Sequence, residues 1–225
     1  QHDVGAARGE ITVVAVRSVG SPLLAMLWGL WRNGVAPLMI DQSSPLVGRW
    51  SSAVEGRWWM ELPESSPPGD LHTVVLTSGS TVGPRPVRLT GANVAAAVAA
   101  SQQRIGNDAT DRWLLNLPLF HVGGLSILWR AAAAGGAVVV HEEFDAKRAA
   151  QAMKDGSVTM ASLVPTMLHR LLEADPGPYD ELKAVLLGGA SANRDLEERA
   201  LDAGLPILQT DGKTESCSQI ETVEP

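Results

Sequence analysis

The sequence is short of cysteine and has no cluster of histidines. Its 225 residues include one cysteine, Cys217, so a disulfide framework and a cysteine-rich metal site are both excluded. The five histidines are scattered, and no His-x-x-x-His or His-Glu-x-x-His spacing occurs, so we do not expect protein side chains alone to hold a metal. Such sparing use of cysteine is typical of a reducing compartment, and we expect a cytoplasmic location.

The sequence also lacks a basic excess and a long apolar run. Its 18 Lys and Arg residues against 25 Asp and Glu residues give a net charge of −7, which argues against a nucleic-acid partner. The longest apolar stretch, residues 21–31, is shorter than the ~20 residues of a membrane-spanning helix. Residues 1–10 are polar and do not resemble a secretory signal. The chain is 45% hydrophobic, enough to bury a core.

Apolar strand-like runs alternate with helical patterns along the chain. Continuous apolar strands separated by helices predict an α/β fold with mostly parallel sheets flanked by helices. Residues 43–71 interrupt the alternation and predict a long connection with one short strand around residues 58–62. The predicted strands are 11–16, 36–41, 73–77, 112–117, 137–140, 158–164, 183–189 and 206–210, and the helices are 21–33, 90–105, 124–134, one from Asp145, one from Pro165 and 193–203.

Ligands of such sheets bind at the carboxyl ends of strands, which here means the loops 77–86, 118–124, 188–192 and 210–216. In the first loop, five small residues, Thr77, Ser78, Gly79, Ser80 and Thr81, offer hydroxyls and backbone N–H groups that suit phosphate oxygens. Arg85 adds a permanent positive charge. The loop is not a Walker P-loop, and an ordinary flexible turn remains an alternative.

The other three loops are each ambiguous when taken alone. His121, followed by Gly123 and Gly124, suits contact with a carboxylate or carbonyl, or a structural hydrogen bond. Two further glycines, Gly188 and Gly189, suit close approach of a ligand or a tight strand-to-helix turn. The last loop, with Thr214 and Glu215, suits Mg²⁺ together with substrate phosphates, or a solvated polar surface. No Gly-x-Ser-x-Gly elbow occurs, which counts against an esterase.

Taken together and in order, the four loops resemble the signatures of the acyl-adenylate-forming (AMP-binding) enzymes. The segments are "TSGSTVGPRPV", "LPLFHVGGL", "LLGGA" and "DGKTE", and the longer "LPLFHVGGLSIL" and "TESCSQI" are most similar to 2-succinylbenzoate–CoA ligases. The resemblance implies activation of a carboxylic acid by ATP and Mg²⁺, followed by transfer of the acyl group to coenzyme A.

The resemblance also implies roles for individual residues. Thr77 to Thr81 and Arg85 would bind the ATP phosphates, as would Thr214, and Glu215 would hold Mg²⁺. His121, Gly123 and Gly124 would face the acyl substrate, and His121, Thr214 and Glu215 form the expected catalytic group. Gly188, Gly189 and Ala190, with Asp211 and Gly212, would line the nucleotide and acyl pockets.

Four residues depart from the family pattern. Val82 and Pro86 replace glycines, Arg85 replaces lysine, and Asp211 replaces a tyrosine that stacks on adenine, so we expect ATP binding weaker than the family norm. Both chain ends look cut, and residues 1–225 would be a partial N-terminal domain without the lysine-bearing C-terminal domain. The alternatives are a ligase for another aryl or fatty acid, and a non-catalytic nucleotide- or acyl-binding remnant.

Overall fold

The computed structural model describes residues 11–16, 20–44, 52–54, 57–59, 71–77 and 85–223. Twelve strands and six α-helices lie within these ranges. The strands are β1 Ile11–Val16, β2 Ala36–Asp41, β3 Ser52–Val54, β4 Arg57–Trp59, β5 Leu71–Thr77, β6 Arg85–Thr90, β7 Arg112–Leu115, β8 Ala137–Val140, β9 Met160–Leu163, β10 Ala184–Leu187, β11 Ile207–Lys213 and β12 Ser218–Val223. The helices are α1 Ser21–Arg32, α2 Gly91–Ile105, α3 Val122–Ala134, α4 Ala146–Lys154, α5 Pro165–Ala174 and α6 Arg194–Asp202.

The strands form two six-stranded sheets. Their orders are β3-β4-β1-β2-β5-β6 and β12-β11-β10-β9-β7-β8. The inner pairings of both sheets are parallel, whereas β4, β3, β6 and β12 pair antiparallel towards the edges. The predicted α/β fold with mostly parallel sheets and flanking helices is therefore confirmed. Of the predicted connection at 43–71, β4 overlaps the expected short strand, and residues 45–51, 55–56 and 60–70 lie outside the described ranges.

Strand β6 corrects the prediction of a loop over residues 77–86. Arg85 already belongs to the strand and pairs with Thr77, and Pro86 pairs with Leu76. Pro86 has no N–H to donate to a neighbouring strand, but β6 is an edge strand, where this loss is tolerated. The predicted phosphate-binding residues Ser78, Gly79, Ser80 and Thr81, with Val82, lie outside the described residues.

The segment predicted as a loop over residues 210–216 is also more ordered than expected. Strand β11 continues to Lys213, a 3₁₀ turn covers Thr214–Ser216, and β12 returns antiparallel. The return was missed because Cys217 and Ser218 adopt φ values of 58° and 92°, conformations that usually call for glycine. A turn built without glycine leaves no signal in the sequence.

Two apolar clusters hold the layers together. One joins the facing sides of the two sheets through α1 and α3, and the other packs α4, α5 and α6 on the far side of the second sheet. Neighbouring residues of the buried strand β7 alternate between them, Trp113 in the first cluster and Leu114 in the second. Three predicted helix starts are confirmed: Thr90 caps α2, Asp145 caps α4, and Pro165 begins α5. None of the described helices is long and apolar enough to cross a bilayer.

Candidate active site

A cleft of about 840 Å³ lies at the carboxyl ends of the strands in the second sheet and faces the β5–β6 pair of the first. The loops after β7, β9 and β10 and the end of β11 all reach it, because parallel strands end at one edge of the sheet. Ten of the predicted site residues line this cleft: Thr77, Arg85, His121, Gly123, Gly124, Gly188, Gly189, Gly212, Thr214 and Glu215.

A second cavity of about 420 Å³ adjoins the cleft and shares Gly189, Thr210 and Gly212 with it. It contains the two remaining described residues of the predicted site, Ala190 and Asp211. Every predicted site residue that the structure describes therefore lines either the cleft or the adjoining cavity.

His121 stands at the N-cap of α3, where its side chain makes no capping hydrogen bond. Its ring packs against the edge of Phe120 with centroids 4.7 Å apart. Burial lowers the pKa of His121, and the nearby charge of Asp41 only partly opposes this effect. The imidazole is therefore neutral at pH 7 and offers the cleft hydrogen bonds rather than a charge.

Three glycines of the cleft differ in how much space a side chain would find at their positions. A Cβ on Gly124 would collide with the carbonyl oxygen of Pro118, whereas one on Gly123 would meet only the Leu117 side chain at 3.7 Å. A Cβ on Gly188 would collide with the Thr210 hydroxyl on the neighbouring strand β11. Local packing therefore requires glycine at positions 124 and 188, and does not require it at position 123.

The 3₁₀ turn after β11 presents Thr214 and Glu215 to the cleft. Glu215 is exposed, and no group of three His, Cys, Asp or Glu side chains placed to hold a metal occurs within the described ranges. A lone carboxylate is the donor set expected where Mg²⁺ is bound largely by substrate phosphates and water. The residues present therefore fit Mg²⁺ delivered with a nucleotide.

Arg130 is a site residue that sequence reasoning missed. It lies on α3 and lines the cleft, and it is only 4% exposed. Its Nη2 donates to Gln219 Oε1 at 3.0 Å, and its Cζ lies 5.7 Å from the Trp113 ring centroid. No carboxylate lies within ion-pairing distance of it in the part of the chain that the structure describes. Burial lowers its pKa to about 10, so it stays charged at neutral pH.

Two neutral polar residues accompany Arg130 on the cleft wall. Gln219, on β12, contacts it directly, and Ser162, on β9, is buried with an Oγ that has no hydrogen-bond partner. The signal for Arg130 was available: a single charge in the middle of the apolar helix "GLSILWRAAAA" is unusual unless a partner or ligand satisfies it. Gln219 and Ser162 carry no comparable signal.

Comparison with known proteins gives a consistent result. The family profile for AMP-binding enzymes matches residues 13–225. The chain is 42% identical over 156 residues to the 2-succinylbenzoate–CoA ligase of Bacillus licheniformis, covering 69% of this chain and 33% of the relative. It is 39% identical over 153 residues to that of Bacillus subtilis strain 168, covering 68% and 32%.

Solved structures agree in fold. The o-succinylbenzoate coenzyme A synthetase of Bacillus subtilis in complex with AMP superposes with a TM-score of 0.83 at 25% identity, covering 98% of this chain and 65% of that one. The same synthetase in complex with ATP and magnesium ion gives 0.83 at 26% identity, covering 98% and 53%. The chain spans about a third of the length of the curated relatives it matches.

Proposed function

Because the chain belongs to the AMP-binding enzyme family, we propose that it serves the ATP-dependent conversion of a dicarboxylic acid, 2-succinylbenzoate, into its coenzyme A thioester. The choice of substrate rests on Arg130, a buried cation that faces the cleft without a carboxylate partner in the described part of the chain. Leaving such a charge buried and unpaired costs several kcal/mol, so the cleft favours a ligand that brings a carboxylate to it.

The two carboxylates of the substrate have separate tasks in this proposal. One forms the ion pair with Arg130, and the other points towards the phosphate end of the cleft, where Thr214 and Glu215 lie. The neutral His121 also lines the cleft and would hydrogen-bond the carbonyl or carboxylate oxygens without adding charge. A fatty acid or benzoate would leave Arg130 unpaired, which makes this alternative less favourable.

The nucleotide would occupy the opposite wall and the adjoining cavity. Thr77, Arg85 and Thr214, with Ser78 to Thr81, are proposed to bind the phosphates, and Gly188, Gly189, Ala190, Asp211 and Gly212 are proposed to surround the rest of the nucleotide. Glu215 would hold Mg²⁺, which screens the phosphate charge during transfer. Pairing of β5 with β6 sets Arg85 opposite Thr77 and brings its cation to the cleft.

The reaction follows from this placement. An oxygen of the substrate carboxylate attacks the α-phosphorus of ATP while the bond to pyrophosphate breaks, which yields the acyl-adenylate. The sulfur of coenzyme A then attacks the acyl carbon, and AMP leaves. The chain's part is to fix the two reacting groups in line and to neutralise charge, the main sources of rate enhancement in phosphoryl transfer.

Residues 1–225 are proposed to form the nucleotide- and acyl-binding part of such a ligase. A binding module without catalysis is the second candidate, favoured by Asp211 at the position where the family stacks a tyrosine on adenine.

ATP–pyrophosphate exchange by the purified chain tests the proposal. 2-Succinylbenzoate, benzoate and a medium-chain fatty acid are supplied separately, and binding of each acid is measured in parallel by calorimetry. Exchange with 2-succinylbenzoate alone supports the proposed substrate. Selective binding without exchange supports the binding module, and equal response to all three acids contradicts the role given to Arg130.

A further inference from the structure

The side-chain amide of Gln219 is fixed in one orientation. Its Oε1 accepts hydrogen bonds from Ser101 Oγ at 2.9 Å and from Arg130 Nη2 at 3.0 Å, and its Nε2 donates to Thr222 Oγ1. An arginine can only donate hydrogen bonds, so the atom that faces it must be the amide oxygen. The three contacts leave the amide no equivalent flipped state.

This arrangement holds the Arg130 guanidinium with a neutral acceptor. Gln219 is its sole hydrogen-bond acceptor among the described residues, and four of its five N–H donors therefore remain available. The ring of Trp113 lies near the guanidinium carbon and limits the directions in which the side chain can turn. The protein thus orients the cation and leaves its charge uncompensated.

One short segment of the chain carries both the proposed metal ligand and the hydrogen-bond partner of Arg130. Glu215 lies in the 3₁₀ turn, and Gln219 follows four residues later on β12, after two residues with positive φ. The turn is held tightly against β11, since a Cβ on Gly212 would collide with the Ser218 carbonyl oxygen. A change in this turn would therefore move the proposed metal ligand and the partner of Arg130 together.

We propose that Gln219 is a positioning residue that sets the preference for a dicarboxylic acid, an inference that rests on the proposed function. It orients Arg130 towards the cleft without neutralising it, and the second carboxylate of the substrate becomes the counter-ion. A glutamate in the same place would have almost the same shape but would supply the counter-ion from the protein itself. The cleft would then lose its advantage for a diacid over a monoacid.

Gln219→Glu tests this inference, with Gln103→Glu as the matched control. Gln103 is an exposed residue of α2, so the control adds the same charge away from the cleft. Binding is measured by calorimetry for 2-succinylbenzoate and for two acids that each lack one of its carboxylates, 4-oxo-4-phenylbutanoate and 2-propanoylbenzoate. We expect Gln219→Glu to reduce the diacid-to-monoacid affinity ratio about 100-fold, the scale of a charged hydrogen-bonded pair, and Gln103→Glu to leave it unchanged.

A double-mutant cycle separates this effect from a general disturbance. In an Arg130→Gln background, Gln219→Glu should change the ratio no further, because the cation it neutralises is gone. Ser101→Ala removes only the second donor to the Gln219 oxygen and should lower the ratio a few-fold. It provides the test if Gln219→Glu does not fold, as judged by circular dichroism.

The outcomes are distinct. If the unmodified chain shows no preference for 2-succinylbenzoate over the monoacids, both the proposed substrate and the proposed role of Gln219 are wrong. If the preference exists but survives Gln219→Glu, or survives Ser101→Ala unchanged where Gln219→Glu does not fold, the substrate stands and the role of Gln219 is overturned.

Discussion

Replacing Gly124 by alanine should destabilise the protein, whereas the same change at the adjacent Gly123 should not. The added Cβ at position 124 would collide with Pro118 O and lie 2.8 Å from Leu117 O. Both are backbone atoms, so relief requires movement of the Leu117–His121 loop or of α3. Forced overpacking of this kind costs about 1–3 kcal/mol. For a chain of 225 residues, at ~2–4 °C per kcal/mol, the Tm should fall by roughly 2–12 °C.

Gly123 makes an unusually close control, because it occupies the same helical turn and also lines the cleft. Its added Cβ would make one ordinary contact, with Leu117 Cδ1 at 3.7 Å. Alanine is favoured over glycine in helices by up to ~1 kcal/mol, so Gly123→Ala should leave the Tm unchanged or raise it slightly. Thermal denaturation followed by circular dichroism, with reversibility checked, measures both variants. A Tm for Gly124→Ala equal to or above that of Gly123→Ala would refute the packing argument.

Three further predictions follow from individual sites. Gly29→Ala, inside α1 with no atom within 4 Å of the added Cβ, should raise the Tm by roughly 2–4 °C, and a fall would mean that α1 packs differently. Burial lowers the pKa of His72, which stacks on Trp31, to about 4. The free energy of unfolding should therefore be highest above pH ~6.5 and fall by at most about 3 kcal/mol as the pH drops towards 4, because the unfolded chain binds a proton that the folded protein does not. Urea titrations at a series of pH values should show a smaller decrease for His72→Gln. Glu215→Gln should weaken ATP binding at least about tenfold with Mg²⁺ but not with EDTA, as measured by calorimetry, and equal loss in both conditions would contradict its assignment to the metal.

The sequence predicted the interior of the fold better than its edges. Buried strands such as β10 are short apolar runs between helices, and capping residues such as Thr90 and Asp145 mark helix starts in the local sequence. The apolar edge strand β8 carries the same signal, but the edge strands β6 and β12 do not. Strand β6 begins with an arginine and a proline, and β12 is largely polar, because an edge strand faces solvent and forms hydrogen bonds on one side only.

The candidate site divides in the same way. The segments around His121, Gly188 and Glu215 follow strand ends, and the order of such loops along one sheet edge is set by chain topology, which the alternation of strands and helices reveals. The sequence by itself therefore determined that a cleft would form and which loops would line it. It could not determine that Gly124 is required because a side chain there would collide with the backbone of Leu117 and Pro118, rather than to make room for a ligand.

Only the tertiary structure decided how the part of the cleft around Arg130 is charged. Arg130 and Gln219 are 89 positions apart, and Ser101 and Gln219 are 118 apart, yet hydrogen bonds join the three. Nothing in the local sequence at any of these positions specifies the others, because α2, α3 and β12 meet only when the two sheets pack through their shared apolar cluster. Packing of the layers removes the arginine from water and leaves its charge facing the cleft.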